Sequence, residues 1–516
     1  MPSQCIRHTD LPGSSRLFAD LIYHFDRVEQ FYDHAPFELE SYRKAAKFDF
    51  PPARRAEIVK ALREQNPDNP SLDVLAQEGT VAVVTGQQVG LFSGPAYTLY
   101  KALTAVRLAK YLTGQGITAV PVFWLATEDH DLVEINQAWG FGKSNTPVGF
   151  TSAAKNLKEG PVGGIAIPNP PLAALRESLE EFPFGAEIAN LVERAYTPGA
   201  TFGDAFRTLM GELLAPYNIL FLDPMRPAIR EVMSPLLAYA ANLQPKLMAA
   251  LTERNLELEA AGYHAQVHVD ANTSLFFVLE DGRRVPLRKF GADKLEDLKT
   301  RPEALSPNAL LRPVMQDYML PTVAYVGGPA ELAYFAQSQV LYHALLGRMP
   351  VIVPRAFFTI LDSRADKLLK RYSLALGDFH PGEQALKEKM AATLVPPALA
   401  GQVDNTKASV IRSVNELIAH LKGFDPSLAK SLGRSREKIV YQVENLGRKT
   451  ARESLRRDER AGRNATELSG LLYPHKHLQE RFYSILPLLA KHGPGLVETV
   501  YEAIQPSCPD HQLLVL

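Results

Sequence analysis

Residues 80–110 read TVAVVTGQQVGLFSGPAYTLYKALTAVRLAK, and the fold class follows from how this stretch divides. Residues 80–85 form a short β-branched run, too short for a helix and suited to a strand buried on both faces. The loop GQQVGLFSGP follows, and then a segment with Leu99, Leu103, Val106 and Ala109 on one helical face. After Gly114 and Gly116 a second apolar run, ITAVPVFWLA, predicts another strand. Strand, glycine loop, helix and strand make a right-handed βαβ unit, with the loop at the carboxyl end of the first strand.

Working outward, further strands are predicted at 219–222, before Asp223-Pro224, at 322–326, before Gly327-Gly328-Pro329, and at 351–353. SLFFVLE and RRVPLRKF (274–280 and 283–290) flank Asp281-Gly282, a hairpin turn signal. The expectation is a doubly wound α/β core with insertions over 71–375. A helical segment, 1–70, precedes it, with Leu17, Leu21 and Phe25 on one face. Beyond it the chain turns charged and helical. Val410, Val414, Leu417 and Leu421, then Leu428, Leu432, Ser435 and Ile439 across a GFDP turn, predict an antiparallel α-helical coiled coil within 376–465. Residues 466–516 are then free to return to the core.

Composition narrows the function. Lys and Arg number 56 against 57 Asp and Glu, so no basic excess points to nucleic acid or an anionic membrane. No apolar run is long enough to span a bilayer, and the first residues lack the order of a signal peptide. The expected location is the cytoplasm. The two cysteines, Cys5 and Cys508, cannot build a disulfide framework or a Cys-rich zinc site. Chemistry must come from carboxylates, histidines, hydroxyls and amides.

Three stretches could carry it. The glycine loop offers Gly86, Gln87, Gln88, Gly90, Ser93 and Gly94, with Lys101 in the following helix. It is neither a P-loop nor a dinucleotide fingerprint. It reads as a ligand-binding turn, or else as a plain βα turn with glycines for packing. The next strand ends in Glu128, Asp129, His130 and Asp131, with Glu134 one turn on and no cation among them. Such a cluster can bind a divalent metal, hold a substrate ammonium or deprotonate an amine; the plain alternative is a solvated helix start. The third stretch, AYVGGPAELAY, offers Gly327, Gly328, Glu331 and Tyr334, with Arg312 and Asp317 upstream, and Arg312 suits a carboxylate or phosphate. Lesser candidates are His264 and His268, read as alternating along a strand with Asp270, and His475 and His477 beside Arg481.

Taken in order, TGQQVGLFSGPAYTLYKALTAVRLAK, PVFWLATEDHDLVEI, the LFFV hairpin, VAYVGGPAELAYFAQ and PHKHLQER resemble the bacillithiol-biosynthesis cysteine-adding enzymes, the cysteine ligase family BshC. The likeness runs from about residue 75 to 485. It implies a Rossmann-like core, related in shape to class I aminoacyl-tRNA synthetases, and homodimerisation through the coiled coil. The activity implied is addition of L-cysteine to the amine of glucosaminyl-malate, the last step of bacillithiol biosynthesis. ATP would activate the carboxyl group, with Mg²⁺ accompanying it. Asp129 and His130, flanked by Glu128 and Asp131, are then the expected catalytic groups, and the glycine loop, Lys101, Arg312, Asp317, Gly327, Gly328, Glu331 and Tyr334 the substrate-binding ones. The resemblance also implies a nucleotide pocket for ATP or ADP away from the cleft, bordered by Leu376, Gly377, His475 and Tyr483. Two other readings compete: a metal-dependent amidohydrolase built on residues 128–131, and a non-catalytic dimeric binding protein.

Overall fold

The structure is a computed structural model describing residues 4–156, 159–270, 273–289 and 292–516. The chain divides into two compact units, one of residues 1–143, 147–360 and 480–516, the other of 144–146 and 361–479.

A five-stranded parallel sheet organises the first unit. Its strands are β1 (Val81–Gln87), β2 (Ala119–Leu125), β3 (Leu220–Leu222), β4 (Thr322–Gly327) and β5 (Val351–Pro354), in the spatial order β5-β4-β1-β2-β3. Each strand expected from an apolar run is present. The order reverses between β1 and β4, which pair in parallel with Tyr325 beside Val84 and Val326 beside Thr85. At such a switch point the connections leave in opposite directions and open a crevice beyond the carboxyl ends of the strands. Gly86 lets β1 and β2 approach: a Cβ there would lie 2.9 Å from the Cβ of Trp124.

Helix α1 (Tyr97–Gly114) follows the glycine loop and is buried along most of its length. Short helices of the first 75 residues join the same core, where Phe18, Ile58 and Leu62 pack in one cluster with Val84 and Trp124. Helix α2 (Pro227–Ala260) and helix α3 (Pro329–Leu346) pack there too. The Asp281-Gly282 turn joins an antiparallel hairpin, Phe276–Glu280 with Arg283–Pro286, to which Leu305–Pro307 adds a third strand. The predicted end of that hairpin, Phe290, lies outside the described residues. Residues 263–270 form no strand, so the alternation expected of His264, His268 and Asp270 has no ladder to sit in. A separate sheet aligns Gln4–Ile6, His511–Val515 and Phe357–Leu361, with the near-terminal strands antiparallel.

In the second unit, α4 (Pro397–Phe424) and α5 (Pro426–Arg457) form the predicted antiparallel hairpin. Lys407 pairs with Glu444 and Arg436 with Asn415, so one index falls as the other rises. Asp425 caps α5 by accepting from the backbone N–H groups of Ser427 and Leu428 at 2.7 and 3.3 Å, with Pro426 at the first helical position, where its missing donor costs nothing.

Candidate active site at the switch point

A cavity of about 580 Å³ opens at the carboxyl ends of β1 and β4. Trp124, Tyr325, Tyr97 and Phe277 give it aromatic walls, and charged groups enter from several elements.

The acidic stretch is paired, from afar. Glu128 is buried and bonds the guanidinium of Arg230 on α2. Arg230 also donates from Nε to the Glu303 carbonyl at 3.0 Å. Arg284, from the hairpin, stacks 3.8 Å from the Phe277 ring centre and donates to Ser306 Oγ and the Pro307 carbonyl, each at 3.0 Å. Its Nη1 lies 3.0 Å from His130 Nδ1. A guanidinium can only donate, so Nδ1 is the acceptor and the neutral ring carries its proton on Nε2. The Asp129 carboxylate, 3.5 Å from Nδ1, accepts instead from the His130 backbone N–H at 2.7 Å and from Gln88 Nε2 at 2.8 Å. Burial would push the Asp129 carboxyl up, but hydrogen bonds from His130 and Gln88 and the charge of Arg284 outweigh it and hold it well below the usual range. Asp131 caps the short helix that follows and does not line the cavity. The cations for this cluster are therefore Arg230 and Arg284. Among the described residues no three His, Cys, Asp or Glu side chains converge to hold a metal.

Another part of the lining is built by the second glycine turn. Lys101 is 1% exposed and donates to the Gly86 carbonyl at 2.6 Å, Gln87 Oε1 at 3.0 Å and Glu331 Oε2 at 2.5 Å. All three ammonium protons are thus committed, which ties loop to loop. Glu331 also accepts from Tyr325 and from the Gly328 backbone N–H, each at 2.8 Å. Burial would raise its carboxyl, and Lys101 with these donors keeps it below the usual range. Arg312 differs. Its hydrogen bonds go to neutral oxygens: Tyr334 at 3.0 Å, Gln316 at 3.2 Å and Tyr325 at 3.4 Å.

Of the residues expected from the sequence, the cavity gathers Gly86, Gln87, Gln88, Lys101, Glu128, Asp129, His130, Arg312, Gly328, Glu331 and Tyr334. Gly90, Ser93 and Gly94 turn away from it. Phe92, Ser93 and Gly94 all have positive φ, and Phe92 is fully buried, its N–H on Tyr196 Oη at 2.5 Å; this half of the loop serves packing. Gly327 packs against Leu332, and Asp317 is buried away from the cavity, bonded by Tyr342 and Gln316. Burial pushes the Asp317 carboxyl up, as suits a core group.

Leu376 and Gly377 form a short 3-10 helix in the second unit, where His475 also lies, with φ 47°. Tyr483 belongs to the first unit, buried against Phe141 at 4.9 Å between ring centres.

Arg284, Arg230, Tyr97, Tyr325 and the pair Arg355–Glu480 were not foreseen. Arg355 lines the cavity, and its guanidinium grips Glu480 at 2.7 and 2.8 Å, both side chains 1% exposed. The carboxylate of this pair stands in PHKHLQER, among more conspicuous histidines.

Comparison with known proteins supplies the family. Residues 1–356 match the model "Bacillithiol biosynthesis BshC, N-terminal Rossmann-like domain", and residues 358–516 match its C-terminal coiled-coil domain. The chain belongs to the BshC family. A Solibacter usitatus protein named "Putative cysteine ligase BshC" is 52% identical, with both chains covered completely. BshC proteins bearing the same name from Koribacter versatilis and Salinibacter ruber are 36% and 30% identical, over 100% and 96% of each chain. Of the five sequence motifs, four lie within the first matched range and PHKHLQER within the second.

Proposed function

We propose that this chain is a ligase that joins L-cysteine to the amine of glucosaminyl-malate in the last step of bacillithiol biosynthesis. The observation that carries the reading is the charge of the cleft, which is lined both by Asp129, its carboxyl held low, and by the Arg312 guanidinium, whose hydrogen bonds go to neutral oxygens. A substrate with an ammonium and carboxylates matches both charges. The names of the relatives supply the reaction class.

Asp129 holds the ammonium of the acceptor. With its carboxyl held low it is a weak base at neutral pH, so its work is orientation. His130, with Nδ1 occupied by Arg284, offers an Nε2–H donor suited to the oxygen on which charge develops as the amide forms. Arg312 meets a carboxylate or phosphate bidentately. Gln87, the Gly328 turn and Arg481 are the polar groups of the same cavity that would hold a nucleotide's phosphates. Bound ATP would supply activation of the cysteine carboxyl, since a free carboxylate does not form an amide unaided.

The homodimer rests on a different observation. Of the twelve large apolar side chains exposed among the described residues, seven lie on α4 and α5, Leu417, Phe424, Leu428 and Leu446 among them. Light scattering would read a dimer that charged replacements at Leu428 and Leu446 dissociate.

The activity is tested by incubating the chain with L-cysteine and glucosaminyl-malate, with and without ATP and Mg²⁺, and weighing the products. The cysteinyl amide should form only with ATP and should fall sharply in Asp129→Asn and Arg312→Gln. A folded protein that makes no amide, or makes it equally without ATP, overturns the reading.

A further inference from the structure

The two cysteines of the chain, at opposite ends of the sequence, meet in the fold. The strand Gln4–Ile6 lies antiparallel to His511–Val515, with Cys5 opposite Gln512 and Ile6 opposite His511. Cys508 sits in the turn leading into that second strand, its N–H on the Gln505 carbonyl at 3.0 Å. The strand pairing brings the turn that holds Cys508 to the strand that holds Cys5, and the Cys5 thiol is one of the groups that act on Cys508. Their surroundings hold them there: Tyr23 accepts from the His8 N–H at 3.0 Å and donates to Asp510 at 2.6 Å, which joins the exit of one strand to the turn before the other. Cys5 is exposed and Cys508 half-buried. The three-residue strand carrying Cys5 is the edge of its sheet, so a small opening there uncovers the partner thiol.

We propose that Cys5 and Cys508 are a reversible disulfide pair that exchanges with low-molecular-weight disulfides. The step needs an oxidant of that class, written RSSR. The Cys5 thiolate attacks one sulfur of RSSR, forming the mixed disulfide Cys5–S–S–R and releasing RS⁻. The Cys508 thiolate then attacks Cys5 Sγ, closing the Cys5–Cys508 bond and releasing the second RS⁻. Two protein thiols are oxidised, one RSSR is reduced to two RSH, and excess RSH reverses the sequence. Exposure selects Cys5 as the first attacker; burial and the neighbouring Cys5 push the Cys508 thiol up, so Cys508 acts second, once its target is alongside. The closed bond fastens the edge strand to the turn before His511–Val515. This inference does not depend on the ligase reading.

The test uses the full chain and hydroxyethyl disulfide as the probe, followed by alkylation and tryptic mass spectrometry without reduction. The expected product joins residues 1–7 to residues 492–516, with free thiols falling from two to none, the intact mass falling by two hydrogens, and dithiothreitol restoring both. Cys5→Ser and Cys508→Ser should each gain one hydroxyethylthio group and no cross-link. Separate mixed disulfides on Cys5 and Cys508 of the parent protein, a cross-link between two chains, or unreacted thiols would each overturn the proposal.

Discussion

Replacing Glu480 by Gln removes one charge from a pair that has almost no access to water. Each side chain is 1% exposed, the guanidinium is gripped at 2.7 and 2.8 Å, and Glu480 also accepts the Phe358 N–H at 3.0 Å. Burial alone would raise this carboxyl, yet Arg355 holds it below the usual range, so the folded protein carries it ionised. Gln keeps the shape and the Phe358 contact but leaves Arg355 buried with an uncompensated charge. Breaking a buried pair from one side costs ~3–5 kcal/mol, and the retained hydrogen bonds put Glu480→Gln near ~3 kcal/mol. At ~2.1 cal/mol/K per residue, a unit of roughly 400 residues melts with ~0.8 kcal/mol/K, so its Tm should fall by about 4 °C. Differential scanning calorimetry of the full chain reads this directly. The double variant Arg355→Met/Glu480→Leu should recover most of the loss, because both charges leave together. A single variant that melts with the parent, or a double variant worse than the single, would refute the argument that the pair is held dry.

Acid should weaken the same region. Burial pushes His511 down to about 4 and His8, also facing His511, down to about 3. The unfolded chain binds those protons from pH ~6.5, where the folded chain does not, so stability is full above that pH and declines toward pH 4. At pH 5 each histidine costs ~2 kcal/mol; a Tm unchanged between pH 7 and 5 would count against this. Nitrogen NMR of ¹⁵N-histidine-labelled protein should find His130 as the Nε2–H tautomer, with the preference lost in Arg284→Met; an Nδ1–H form in the parent contradicts the donor geometry. Arg312→Gln should lower kcat/KM for glucosaminyl-malate by ~10–100-fold, the worth of a hydrogen bond to a charged group, and equal kinetics would remove Arg312 from substrate binding.

How much of this was legible depended on distance along the chain. The βαβ unit could be read because its strands are local apolar runs and its loop is marked by glycine. The coiled coil followed from spacing, and the turn between its helices from Asp425-Pro426. The cluster at 128–131 was located, but its cations were invisible, because Arg230 and Arg284 arrive from a later helix and a hairpin. Local pattern also cannot show which half of a glycine loop faces the cavity: Gln87 and Gln88 do, while the positive-φ run at 92–94 places Phe92 in the core. Asp317 stands near Arg312 in sequence, upstream of the second glycine turn, yet Arg312 lines the cavity and Asp317 is buried away from it. Two cysteines are too few for a disulfide framework or a zinc site, and local sequence does not show that the pairing of the near-terminal strands brings their two segments together.

That first unit is stitched from separated stretches of chain, with residues 361–479 between Arg355 and its counter-ion. During synthesis at ~5–20 residues per second, Arg355 leaves the ribosome roughly 6–25 s before Glu480. For that interval the sheet edge at Phe357–Leu361 lacks His511–Val515, and the guanidinium must stay in water. The family boundary near residue 357 therefore divides related sequence without dividing the folding unit, and residues 1–356 released alone would stall at this unfinished stage.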